Sequence, residues 1–160
     1  MKAMTTAAAL VVCLSAAAAH AQQPKTIPSP AEIAVSAVKD NDPADLSFSD
    51  YEFILSYRDA SPANKEAADK VWAAIEAKQR NGAAKLKIPA MVIKAEASSL
   101  DVAVAEDNIE HRVADMRVTL AKPAAPPAAG AAIYVIGTIA DYTPKPFLFV
   151  MKSAEIAPRR

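Results

Sequence analysis

The sequence predicts an α+β chain: N-terminal helices followed by a five-stranded antiparallel barrel or strongly curved sheet. Three observations carry that prediction. Between Ser29 and Gly82 apolar residues recur at helical spacing behind Ser-Pro starts, and from Lys85 onward the period falls to two. Gly137 stands inside a strand segment, and Pro144 and Pro146 stiffen the turn that follows it. Helices first and strands second is an α+β order, and five short strands hide their two edges by curling.

The chain has 160 residues, and its start, "MKAMTTAAALVVCLSAAAAHAQQP", carries one lysine, a short apolar run and small residues at Ala19 and Ala21. This pattern predicts a secretory signal peptide over residues 1–21, cut before Gln22, with 22–28 as a tether. Cys13 would be the lipidated residue of a lipoprotein, but the branched Val12 stands before it where a small residue is expected. Cleavage removes Lys2 and no acid, so 18 basic residues become 17 against 18 acidic ones. That near-neutral balance lacks the broad positive field on which nucleic-acid binding rests. The single cysteine lies within the predicted leader, so the mature chain has neither disulfide nor thiolate chemistry. No later apolar run has membrane-spanning length, and a soluble periplasmic or secreted protein is expected.

Residues 29–83 form the predicted helical segment. "SPAEIAVSAVKD" offers Ser29 as N-cap, Pro30 in the first turn and Glu32 to complete a capping box, with Ile33, Ala37 and Val38 on one side. "LSFSDYEFILSYRDA" reads as helix or strand; the Ser47/Asp50 cap and the Tyr51, Ile54, Leu55, Arg58 stripe favour helix over the strand propensity of its aromatics. "SPANKEAADKVWAAIEAKQRNG" is the clearest helix. Ser61 caps it, Gly82 ends it, Ala68, Val71, Trp72 and Ile75 face inward, and Glu66 with Lys70 and Glu76 with Arg80 pair outside. Trp72 reads first as a packing anchor and second as a stacking platform.

Residues 84–157 form the predicted β domain. Leu86 and Ile88 share a face in "KLKIPAMVIKAEA", and Pro89 is expected to bend that strand. "SLDVAVAED" points Leu100, Val102 and Val104 inward against Asp101, Ala103 and Ala105; "VADMRVTLAK" points Met116, Val118 and Leu120 inward against Asp115, Arg117 and Thr119. "AKPAAPPAAG" is a spacer or a crossover around a barrel end. "AAIYVIGTIADY" is the covered strand that contains Gly137, and "PFLFVMKSAEI" directs Phe147, Phe149 and Met151 to one face. Five is the OB-fold strand number, so the barrel is expected to be OB-like.

The chemistry of the mature chain is sparse. It keeps one histidine, His111, and lacks the glycine-rich phosphate loops and the nucleophile-elbow motif. Glu106, Asp107, Glu110 and His111 in "EDNIEHR" would be divalent-metal ligands in one reading and a solvated hairpin loop in the other, which the isolated spacing favours. No cofactor and no enzymatic activity is expected. The corner "DYTPKPF" presents Tyr142, Lys145 and Phe147 from a rigid turn, where OB-like barrels build part of a ligand groove. Alternatively Tyr142 and Phe147 pack across the turn and the prolines protect a sheet edge. Lys85, Lys87, Lys94 and Lys145 are the residues from which a nucleic-acid patch could form.

Taken together, "LSFSDYEFILSYRDASPANKEAADKVWAAIEAKQ", "KLKIPAMVIKAE" and "GTIADYTPKPFLFVM" resemble a bacterial exported module often attached behind tetratricopeptide repeats, itself similar to OB-like domains. The resemblance covers the chain from about Pro28 onward and implies no recognised catalytic residue. The repeat array of the longer relatives is missing between leader and module, so their scaffolding role does not carry over. A binding module for a protein or an envelope glycan is the expected function, with a nucleic-acid-binding OB domain as the alternative.

Overall fold

The computed structural model describes residues 27–81 and 85–159. The predicted signal peptide, residues 22–26 of the tether and Gly82 lie outside the described residues.

Helix α1 spans Pro30–Asp40 and opens with the expected capping box: the Glu32 amide donates to Ser29 Oγ at 3.3 Å and the Ser29 amide donates to Glu32 Oε2 at 2.7 Å. Its inner face is rotated from the expected one. Ala34 and Val38 are buried, whereas Ile33 is 45% exposed. The small Ala34 admits a close approach to helix α3, Pro62–Asn81, whose buried Asn64 donates through Nδ2 to the Ala31 carbonyl at 2.8 Å. Helix α2, Phe48–Ser56, is a helix as the cap signal favoured, with Ser47 and Asp50 capping each other and Tyr51, Ile54 and Leu55 buried. Short 3₁₀ turns at Pro43–Asp45 and Arg58–Ala60 flank it. On α3, Ala68, Val71 and Ile75 are buried, Trp72 is half-buried, and both predicted helix-surface ion pairs are present.

Strands β1 (Leu86–Ala95), β2 (Ser99–Ala103), β3 (Met116–Leu120), β4 (Ala132–Pro144) and β5 (Phe147–Pro158) close into a barrel in the order β1-β2-β3-β5-β4. The chain is therefore α+β with an OB-like five-stranded barrel. Its pairings are antiparallel except β3 with β5, which run parallel. Parity requires this correction to an all-antiparallel barrel: an odd number of strands cannot alternate direction all the way around a closed ring.

Four local expectations change. Pairing of β1 with β4 runs unbroken through Pro89, and the irregularity in β1 falls instead between Val92 and Lys94, opposite β2. Past Val102 the alternation stops: Ala103 and Ala105 are buried and Val104 is half-buried. Asp115, expected outside, is 1% exposed. "EDNIEH" forms a short helix, α4 (Glu106–His111), in place of a loop, with acids in its first turn and His111 in its last, as the helix dipole favours.

The Pro/Ala segment wraps the barrel end. It is fastened at Ala121 to the Ala154 carbonyl, at Ala124 to the Ala97 carbonyl and at Gly130 to the Val92 carbonyl. Gly130 takes φ 81, a left-handed backbone that suits glycine. Gly137 is buried and faces the interior, where a Cβ would lie 2.9 Å from Met151 Cγ and Sδ and 3.0 Å from Ala154 Cβ. Across from it β5 carries an extra residue: the register shifts between Ile136 and Thr138, and Ser153 takes φ 53. This bulge lets both Met151 and Ala154 point inward against a residue without a side chain. The buried core is continuous, joining α1, α2 and α3 to every strand of the barrel.

Candidate functional site

Tyr142 lies near the end of β4, and the hairpin turns over two residues, Lys145 and Pro146, joined by a cis peptide bond. The pairs Tyr142–Phe149 and Pro144–Phe147 place these side chains on one face of the ribbon. That face meets the helices. Ring centroids run from Trp72 to Tyr142 at 5.2 Å, to Phe147 at 6.0 Å, to Phe149 at 4.8 Å, to Phe48 at 5.8 Å and to Tyr51 at 5.8 Å. Trp72, Tyr142, Phe147 and Phe48 are half-buried, and Phe149 and Tyr51 are buried in the core. Each pair adds about 0.5–1.5 kcal/mol beyond its buried area. The aromatic residues thus fasten α2 and α3 over the hairpin end of the barrel.

The structure brings Tyr142 and Phe147 together and adds Trp72 beside them. Lys145 is exposed on the turn and forms no ion pair with a described residue. Burial pushes the Tyr142 phenol above its ordinary pKa; the Arg58 charge opposes that shift, and Asp59, Asp69 and Asp141 add to it. Arg58 approaches Asp69 at 3.8 Å, and its Nε is buried with no acceptor among the described residues. The outer part of the ring series is therefore an aromatic surface with a mixed, net acidic border.

Compared with protein-family models, curated proteins and solved structures, the chain matches none.

The other sequence candidates disperse. Lys85 is held by Glu155 at 2.7 Å and Lys94 by Glu96 at 2.9 Å, while Lys87 lies over the Tyr134 ring at 4.3 Å. Two charges of the expected lysine patch are thus already compensated. In α4, His111 Nδ1 lies 2.7 Å from the Asp107 backbone carbonyl. No group of three or more His, Cys, Asp or Glu among the described residues is placed to hold a metal ion. No described helix is long and apolar enough to cross a membrane. A cleft of about 490 Å³ lies at Leu120–Ala124 and Ala154–Ile156, away from the Tyr142 corner. Its charged lining residues are Lys122 and Glu155, and Glu155 is already paired with Lys85, so the aromatic corner is the better-built candidate.

Three buried polar devices escaped the sequence reading. Gln79 Nε2 donates to the Ile139 carbonyl at 3.2 Å and Gln79 Oε1 accepts from the Ile139 amide at 2.7 Å, so one side chain satisfies both backbone groups of a β4 residue that lies beyond the end of the β1–β4 pairing at Gly137. A signal existed: Gln79 continues the Ala68, Val71, Ile75 stripe by one turn, which puts an amide at a core position. Asn64, the second, ties α3 to α1. Asp115 is the third, accepting the Val104 and Ala105 amides at 2.8 Å and 2.7 Å. Burial raises its pKa, and these N–H bonds, with that of Asn108, oppose the rise.

Proposed function

We propose that this chain is an exported, non-catalytic binding module whose ligand, a protein or an envelope glycan, meets the Trp72, Tyr142, Phe147 surface with Lys145 at its edge. One observation carries the reading: these rings hold one another in tilted contacts, yet stay half-buried, beside a hairpin tip whose Lys145 has no ion-pair partner among the described residues. Core packing alone accounts for Phe149 and Tyr51, which are buried, and for Phe48, which is half-buried but lies edge-on to both. It does not account for an aromatic face continued outward to a tryptophan. Aromatic faces of this type stack on sugar rings and on apolar side chains and lose little entropy in doing so. The resemblance to exported OB-like modules and the leader-like N-terminus support a periplasmic or secreted location.

The test is retention of envelope components by the immobilised protein, compared with Tyr142→Ala/Lys145→Ala and with Lys145→Glu, which leaves the stacked rings intact. Loss of a specific retained component in both variants supports the reading. An unchanged retention profile contradicts it. The nucleic-acid alternative rests on the OB-like strand order and loses support from the compensated lysines; absence of single-stranded DNA retention at low salt ends it.

A further inference from the structure

Away from the aromatic corner, α2 meets the connection between β2 and β3 through three polar side chains. Asn108 Nδ2, in α4, donates to Glu52 Oε2 at 2.6 Å and to Asp115 Oδ2 at 3.1 Å. Two carboxylates therefore share one amide nitrogen, and those oxygens are no further apart than the two distances laid end to end. Neither carboxylate forms an ion pair with a described Lys, Arg or His. The charged groups facing Glu52 are Asp115 and Asp107, and both repel it.

The two carboxylates differ in their capacity for a proton. Asp115 is 1% exposed and its oxygens already accept from the Val104 and Ala105 amides and from Asn108, so a proton there would displace a donor. The Glu52 side chain accepts only the Asn108 bond among the described residues and borders a groove of about 340 Å³ with Phe53, Tyr57, Asp107 and Asn108. Protonation of Glu52 removes the repulsion and leaves the Asp115 bonds in place.

We propose that Glu52 is a proton-operated clasp between the helical layer and the barrel: its neutral carboxyl lets α2 close against α4 without repulsion, and its carboxylate, although the better acceptor for Asn108, sets a partly buried charge against Asp115 and Asp107 and loosens the contact. The proton comes from solvent and no other bond is made or broken. The clasp does not depend on ligand binding at Tyr142. Its pKa agrees with the geometry, being raised first by burial, then by the Asp115 charge and by Asp107, against the Asn108 hydrogen bond.

The sign follows. A carboxyl whose folded pKa is raised binds its proton more tightly in the folded state, so stability falls as pH rises from its ordinary value of 4.5 through the raised one. The exposed carboxylates Glu32, Glu66, Asp69, Glu96 and Glu155 are shifted the other way. Their contributions disappear only as pH falls below the ordinary carboxylate range, which separates the two effects.

The experiment is urea unfolding of the purified protein between about pH 5 and 8, with Glu52→Gln and His111→Asn, together with an NMR titration of the Glu52 side-chain carboxyl carbon. The wild-type midpoint should fall as pH rises from the ordinary value of 4.5 through the raised one. Glu52→Gln should shrink that fall to the part left by Asp115, whose carboxyl is also raised by burial, His111→Asn should keep it whole, and Glu52 should titrate above 4.5. A Glu52→Gln slope equal to wild type, or a Glu52 midpoint at or below 4.5, overturns the proposal.

Discussion

Replacing Gly137 with alanine tests the barrel where it is most tightly closed. The new methyl would sit 2.9 Å from Met151 Cγ and Sδ and 3.0 Å from Ala154 Cβ. Carbon atoms in good contact lie about 3.5–4.0 Å apart, so at least one neighbour must move by about half an ångström or more. Met151 is flexible but wholly buried, and Ala154 Cβ is fixed to the bulged backbone. Overpacking of this kind costs about 1–3 kcal/mol. Gly137 does not occupy the left-handed region, so alanine recovers about 0.5–1 kcal/mol of backbone entropy. The net expectation is a loss of about 1–2 kcal/mol, or roughly 3–8 °C in Tm for a domain of this size. Circular-dichroism melting of Gly137→Ala, alone and in a Met151→Ala background, measures it. Met151→Ala is itself destabilising, but in its presence Gly137→Ala should cost less by about 1 kcal/mol or more, because two of the three close contacts are gone. A higher Tm for Gly137→Ala, or an equal cost in both backgrounds, refutes the packing argument.

Three further outcomes follow. Asp115→Ala should lose about 2–4 kcal/mol in urea unfolding, since the Val104 and Ala105 amides lose their acceptor where water is excluded; a loss under 1 kcal/mol counts against it. Gln79→Leu should cost a similar amount, roughly 2–4 kcal/mol, by stranding both backbone groups of Ile139, and the Ile139 amide should exchange faster with solvent. Ser47→Ala should cost about 1 kcal/mol through loss of the α2 cap, measurable as a lower denaturation midpoint; no change means the cap is inert.

The helices were legible because their starts are local chemistry. Ser29 with Glu32 and Ser47 with Asp50 satisfy orphan amides within three residues, so the signal is written in adjacent letters. Strand existence was legible from period two, and Gly137, singled out inside its strand, lies opposite the β5 bulge. What the letters hid was long-range. Asp115 looks like the wet side of an alternating strand, and only the turn at Val104 and Ala105 shows that it serves as an internal acceptor. The face of α1 that is buried, with Ala34 inside and Ile33 outside, is the one packed on α3, whose Asn64 bonds the Ala31 carbonyl. That a closed ring of five strands must contain a parallel pair was derivable from parity, but that the pair is β3 with β5 was not. At the corner, the sequence supplied Tyr142, Lys145 and Phe147 but could not place Trp72 against Tyr142, a contact across 70 residues of chain.

Trp72 is the only tryptophan in the chain, so its fluorescence reports on the Tyr142 surface alone. Titrating the protein with solubilised envelope glycan and, separately, with envelope protein fractions should give, for one of them, a saturable change in Trp72 emission that Lys145→Glu weakens. Binding that leaves Trp72 emission unmoved, or an emission change identical in Lys145→Glu, would place recognition elsewhere and contradict the role assigned to this corner.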